Sequence, residues 1–330
     1  MKVLLISADS QKDAKLPNLA LMKLSAHHKN KGDLVGFHVS NPDKVYVSVV
    51  FDKNKNHAQG IKTWYPNAEV EVGGPGLGIP TYLPDEIEHI MPDYSLYPDL
   101  DYSMGFTTRG CFRRCDFCIV TKVEGEFREH APIEEFHNPE FNKVVLMDNN
   151  FLKSKNRSKT IEYIRDNDLK VCISQGMDLR IITEEMAEEL ASINSYNMYF
   201  KQRSYIFAWD NFKEYKPIMS GLNEIIKAGI PPKQIMVYVL VGFDTEYWQD
   251  AFRLQTLADL GVQPYVMRYN FNRKDKILNG MARWANSSAR FFTACSLQDY
   301  KPLKKHTNKI WESEDQTTIN KQTQRMSENE

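Results

Sequence analysis

Three of the chain's five cysteines fall within eight residues, in the stretch "TTRGCFRRCDFCIVTK" at positions 107–122. Cys111, Cys115 and Cys118 are spaced Cys-x3-Cys-x2-Cys, and thiols so crowded call for a chemical explanation. A disulfide framework is a poor one for a long chain with so few cysteines. Zinc usually takes four ligands, as two separated Cys-x2-Cys pairs or as pairs completed by His. Here there is one cluster and no second pair; His130 could be a fourth ligand, but it lies twelve residues beyond Cys118 with no supporting pattern. Chance clustering explains least, because eight loop residues cannot bury three thiols. Iron–sulfur ligation fits better: thiolates hold such clusters, and three ligands on a four-iron cluster would leave one iron open to bind something else.

The elements that must position these thiols alternate between strand and helix patterns. "KVLLISA", "KVYVSVVF" and "AEVEVGG" read as strands around a helix in "LPNLALMKLSAHHKNKG", which Gly32 should stop. This predicts a small Rossmann-like α/β unit over residues 1–90. Pro80, Pro84, Pro92 and Pro98 then oppose long helices and mark a connecting segment, 91–101. Six further strand candidates follow: 102–108, 143–149, 170–176, 204–210, 234–243 and 263–269. Helical patterns such as "TEEMAEELASI", with Thr183 as its cap, separate them. Six βα repeats predict an incomplete (β/α)6 parallel barrel over 102–306, whose active site should gather at the carboxyl ends of the strands. The cysteines follow directly after the first of these strands. From Thr307 the chain turns polar, and 307–330 reads as a frayed or disordered tail.

The motif resembles the signature of the radical S-adenosylmethionine superfamily, with the aromatic Phe117 immediately before the last cysteine. "RGCFRRCDFC" is similar to the branch that includes methylthiotransferases and enzymes with cobalamin-binding domains. "LMDNNFL" (146–152) and "VLVGFDTEYWQDAFR" (239–253) are similar to that branch's Asp-Asp-x-Phe and Gly-x-Pro-x-Glu-Thr segments. In the second of these Gly242 and Glu246 match, whereas Asp244 and Tyr247 replace proline and threonine. "AWDN" (208–211) stands where Gly-x-Glu-Ser is usual, so Asp210 is the candidate to replace that glutamate, with the bulky Trp209 beside it. The resemblance implies that Cys111, Cys115 and Cys118 bind a [4Fe–4S] cluster whose open iron chelates S-adenosylmethionine. It implies reductive cleavage to methionine and a 5′-deoxyadenosyl radical that attacks an unidentified substrate, with a flavodoxin or ferredoxin as reductant. Phe117 would lie near the adenine. Only Cys172 and Cys295 remain, too few for the second cluster of sulfur-inserting members.

On that reading the polar residues at strand ends become candidate contacts. Asp148, Asn149 and Asn150 could accept from the ammonium group of S-adenosylmethionine, or cap the following helix. Gln175 is similarly placed, with Asp178 and Arg180 nearby; Arg180 could fork onto a carboxylate of the ligand or onto Asp178. Tyr265, Arg268, Tyr269 and Asn270 could line the substrate side, although strand alternation makes some of them core residues. No side chain stands out as a catalytic residue. "VGGPGLGIP" (72–80) is interrupted by Pro75 and Pro80 and has the wrong spacing for a dinucleotide fingerprint, so a tight turn is the better reading. The same unit is weakly similar to cobalamin-binding domains but lacks their Asp-x-His-x-x-Gly cobalt-ligand motif.

The chain of 330 residues, 42% apolar, is large enough for a substantial core. With 42 basic and 43 acidic residues, it gives no bulk electrostatic reason for tight nucleic-acid binding. No apolar run approaches a membrane span or a signal peptide, which makes a cytoplasmic location the expectation. Two other functions remain open. One is a cobalamin-assisted methyltransferase of the same superfamily. The other is a zinc-stabilised nucleic-acid-binding module using the basic "KPLKKHTNK" near residue 305.

Overall fold

The computed structural model describes residues 1–10, 16–269 and 274–311. It is an α/β protein with parallel sheets, divided into two compact units. The first comprises residues 1–174 and 193–200, the second residues 175–192 and 201 onward. Within the described residues no helix is long and apolar enough to cross a membrane.

The first unit opens with β1 (Lys2–Ser7), α1 (Leu19–Asn30), β2 (Leu34–Gly36), β3 (Lys44–Ser48), α2 (Lys55–Gly60) and β4 (Glu69–Gly73). These strands form a parallel sheet in the order β2-β1-β3-β4. After α3 (Asp85–Glu88) come β5 (Ser103–Gly105), β6 (Thr108–Arg109), α4 (Val120–Val123) and β7 (Arg128–Glu129). Then follow β8 (Lys143–Leu146), α5 (Arg157–Asp166) and β9 (Lys170–Ile173). The chain leaves this unit for β10 (Met177–Asp178) and α6 (Glu184–Ala191), and returns for β11 (Asn194–Ser195). A second parallel sheet results, β11-β9-β8-β5, while β6 and β7 make a short antiparallel hairpin.

Helix α1 shows why this unit is one body. Leu21 and Leu24 pack with Val3 and Leu5 of β1, whereas Leu19 and Met22 pack with Met104, Val145 and Cys172 of the second sheet. A helix covered on both sides loses its polar face, and Lys23 and His28 are buried with it. Each has found a partner: Lys23 donates to Glu88, and His28 contacts Asp33 at 2.7 Å. Asn18 caps the helix by accepting from the Leu21 N–H, and Gly32, at φ +78°, follows its end.

In the second unit, β12 (Tyr205–Ala208), α7 (Tyr215–Lys227), β13 (Ile235–Val241), α8 (Tyr247–Asp259), β14 (Gln263–Arg268) and α9 (Lys276–Asn286) follow α6. The parallel sheet runs β10-β12-β13-β14. Thr183 caps α6 as its position suggests, accepting from the Met186 N–H at 3.2 Å. The stretch expected to fray from Thr307 begins as a helical turn, Thr307–Trp311, with Ile310 buried. Residues 312–330 of the expected tail, and Asn270, lie outside the described residues.

Candidate metal and cofactor site

The cysteine loop leaves β6 at Gly110 and ends at α4. Gly110 sits at φ +71°, and a Cβ there would collide with the backbone carbonyls of Gly125 and Glu126. Only glycine can make this entry without strain. Arg109 closes the base of the loop: its guanidinium pairs with Glu124 at 2.9 Å and lies over the Phe106 ring at 4.1 Å. On the β7 side, Glu129 accepts from Ser154 Oγ and the Lys155 N–H, both at 2.7 Å.

Cys111, Cys115 and Cys118 are in no disulfide and are partly exposed. Cys111 Sγ lies 3.4 Å from the Arg113 N–H nitrogen and 3.8 Å from Asn150 Nδ2. The Cys118 N–H donates to the Cys115 carbonyl at 3.0 Å, which turns the chain between the second and third thiols. Among the described residues, no three His, Cys, Asp or Glu side chains are gathered as a site for a single metal ion. The donor set is nonetheless suited to a cluster. Thiolates ligate different irons of a cubane and need not meet around one ion, and amide N–H groups near sulfur are the usual supports of such ligands. Phe117 is partly buried within this loop.

Asp148, Asn149 and Asn150, one residue beyond the end of β8, grip the entry to the loop in register. Asp148 is buried, and its carboxylate accepts from both threonines before the loop. Thr107 donates through its N–H (3.1 Å) and Oγ1 (2.5 Å), and Thr108 through its N–H (2.6 Å) and Oγ1 (2.7 Å). Burial pushes the Asp148 carboxyl up, and these four donors pull it back. Asn149 Oδ1 accepts from the Gly110 N–H at 3.2 Å, and Asn150 reaches Cys111. Asn150 is buried, and among the described residues its Oδ1 has no hydrogen-bond partner. Asp148 and Asn149 therefore spend these oxygens on the protein's own backbone and hydroxyls, while Asn150 keeps an open acceptor.

The other candidate contacts, Gln175 and Asp210, belong to the second unit. Gln175 is exposed, between β9 and β10. Arg180 takes the intramolecular option, forking onto Asp178 at 2.6 and 2.9 Å and reaching Glu214 at 2.5 Å. Asp210 follows β12 and is partly buried. Burial pushes its carboxyl up to about 6, against the opposing pull of Arg253 and Arg180. Trp209 is wholly buried, with its indole N–H on the Asn211 carbonyl, so its bulk goes into the core.

Sequence reasoning missed the pair that fixes this end of the sheet. Arg253 on α8 is fully buried and donates to the carbonyls of Trp209 (2.7 Å) and Leu240 (2.6 Å) and to Asp250 (2.6 Å). Asp250 in turn accepts from the Gly242 N–H at 3.0 Å. The available signal was an Asp-x-x-Arg spacing on one face of an otherwise apolar helical pattern. Beyond β13 and β14 lies a cavity of about 380 Å³ lined by Gly242, Phe243, Asp244, Arg268 and Tyr269, among others. Phe243 and Tyr269 meet edge to face at 4.6 Å, and Arg268 donates to Asn279. Tyr265 instead packs against Tyr238, with ring centroids 5.4 Å apart.

The glycine-rich loop is a turn. Gly74 and Gly76 sit against the backbone of Val49 and Phe51, where a Cβ on either would clash. The basic carboxyl-terminal stretch forms short helical turns with Leu303 and Ile310 buried and Lys304 3.5 Å from Asp299. No family model matches this chain, and no curated protein does.

Proposed function

We propose that the protein is a radical S-adenosylmethionine enzyme, with Cys111, Cys115 and Cys118 as the ligands of a [4Fe–4S] cluster. The observation that carries this reading is the Cys-x3-Cys-x2-Cys loop of thiols outside any disulfide, which follows the parallel strand β5 by way of the short hairpin strand β6 and is held by the residues just beyond the adjacent parallel strand β8. When bound, the cluster would supply the electron that cleaves S-adenosylmethionine, generating the radical that modifies a substrate. The chain's own contribution is placement. Asp148 and Asn149 hold the loop entry, and the open Oδ1 of Asn150 is an acceptor for an ammonium group. Phe117 is the aromatic candidate for the adenine, and Gln175 and Asp210 are candidates for the remaining polar groups. Arg268 and Tyr269 line a cavity that suits a small polar substrate.

The incomplete parallel barrel belongs to the same proposal. It is supported by six parallel strands whose neighbours follow chain order, β5-β8-β9 in one sheet and β12-β13-β14 in another. A flavodoxin or ferredoxin would serve as reductant. Cobalamin has no such support: the cobalt-ligand motif is absent from the sequence.

The test is anaerobic reconstitution with iron and sulfide, then reduction in the presence of S-adenosylmethionine. We expect about four irons per chain and 5′-deoxyadenosine among the products. Both should be lost when Cys115 becomes Ala. Bound zinc with no cluster and no cleavage would refute the proposal in favour of a metal-stapled binding module; S-adenosylhomocysteine among the products would redirect it to methyl transfer.

A further inference from the structure

Asn150 is placed as more than an acceptor for a ligand. Its Nδ2 lies 3.8 Å from Cys111 Sγ, while its Oδ1 is buried and unpaired. An orphaned buried amide oxygen is costly, and turning the amide over would not remove that cost once Cys111 is a metal-bound thiolate. It would set Oδ1 against a sulfur that can only accept, and leave the N–H without its acceptor. The orientation with nitrogen toward sulfur is therefore the one a ligated Cys111 selects. The position is held from both sides: Asp148 fixes Thr107 and Thr108, Asn149 fixes Gly110, and Asn150 meets the next residue, Cys111. The Arg113 N–H meets the same sulfur at 3.4 Å.

We propose that Asn150 sets the reduction potential of the cluster through an N–H···S hydrogen bond to Cys111, with Asp148 and Asn149 as the positioning residues for that bond. An amide N–H directed at a ligating thiolate offsets negative charge on the sulfur, and reduction adds negative charge to the cluster. The bond therefore favours the reduced form and raises the potential. This matters for an enzyme whose first step is delivery of an electron from that cluster. The inference rests on the proposed cluster, and its test separates the two.

The experiment is a redox titration of the reconstituted full-length protein without S-adenosylmethionine, followed by the electron paramagnetic resonance of the reduced cluster. Asn150→Leu removes the donor, and Asn150→Asp replaces it with a negative charge at nearly constant shape. With iron and sulfide contents matching the parent, the potentials should fall in the order parent, Leu variant, Asp variant. A purely structural role for Asn150 would alter cluster content or thermal stability without that charge-ordered shift. Unchanged potentials in loaded variants would overturn the inference while leaving the cluster reading intact; failure of the parent to take up a cluster would overturn both. Should neither variant load, the parent carrying 15N in its asparagine side-chain amides decides. Hyperfine coupling of the reduced cluster to such a nitrogen supports the bond, and its absence overturns it.

Discussion

Asp210 is held at the end of β12 in surroundings that disfavour its charge. Burial raises its carboxyl to about 6, even with Arg253 and Arg180 pulling the other way, whereas an aspartate in an unfolded chain titrates near ~3.9. The folded protein thus binds this proton more tightly than the unfolded one. The group's contribution to stability is complete below about pH 4 and is lost as the pH rises through about 6. Each tenfold difference in proton affinity is worth about 1.4 kcal/mol, so ionising Asp210 in the folded state costs ~3 kcal/mol above pH 7.

Asp210→Asn abolishes that titration and strands neither arginine, because Arg253 keeps Asp250 and Arg180 keeps Asp178 and Glu214. The variant should exceed the parent by only ~1 kcal/mol at pH 4.5 and by up to ~3 kcal/mol at pH 8. Urea denaturation at several pH values, followed by tryptophan fluorescence, reads the difference. A gap that does not change between pH 4.5 and 8, or a variant less stable at pH 8, would refute the reasoning. Should the gain appear, burial of this carboxylate costs the folded protein stability at neutral pH.

Arg253→Met should cost about 3–5 kcal/mol, because it leaves Asp250 buried without its counter-charge and two strand-end carbonyls without a donor. Equilibrium denaturation at neutral pH measures this, and a loss under ~1 kcal/mol would mean that the pair is dispensable. Gly110→Ala should destabilise by at least about 1–3 kcal/mol through its left-handed backbone and its collision with the Gly125 and Glu126 carbonyls. The same variant should take up less iron on reconstitution; full iron content with parental stability would show that the loop entry is not constrained as described.

Much of the fold was legible because its signals are local. Each of the nine predicted strands appears, shortened at its ends, and α1 runs from its Asn18 cap to a stop just before Gly32. Apolar runs and caps depend on neighbours within one or two turns, so a single sequence carries them. What the sequence could not carry is which polar atom meets which across forty residues. Asp148 and the two asparagines read as open contacts for a ligand because acceptors at a strand end look alike whether they face a ligand or a threonine. The threonines that claim Asp148 lie at 107 and 108, inside what read as an ordinary strand end, and nothing local marks them as its donors. Arg253 was hidden for the same reason: a charged residue on a helix reads as solvated until the sheet shows two carbonyls waiting for it.

These contacts bear on the functional argument. If all of Asp148, Asn149 and Asn150 served a ligand, the stretch would be a binding motif and the cysteine loop would have to hold itself. Instead the first two give their oxygens to Thr107, Thr108 and Gly110, leaving one buried oxygen, on Asn150, free. Preorganisation of this kind would serve the proposed thiolate ligands: the strand end holds the loop, which would spare assembly of a metal centre the cost of ordering it. A loop meant only to cap a hairpin would need neither the glycine entry nor an amide turned toward sulfur. The division of labour within three consecutive residues is therefore the strongest argument from geometry that these thiols are there to ligate.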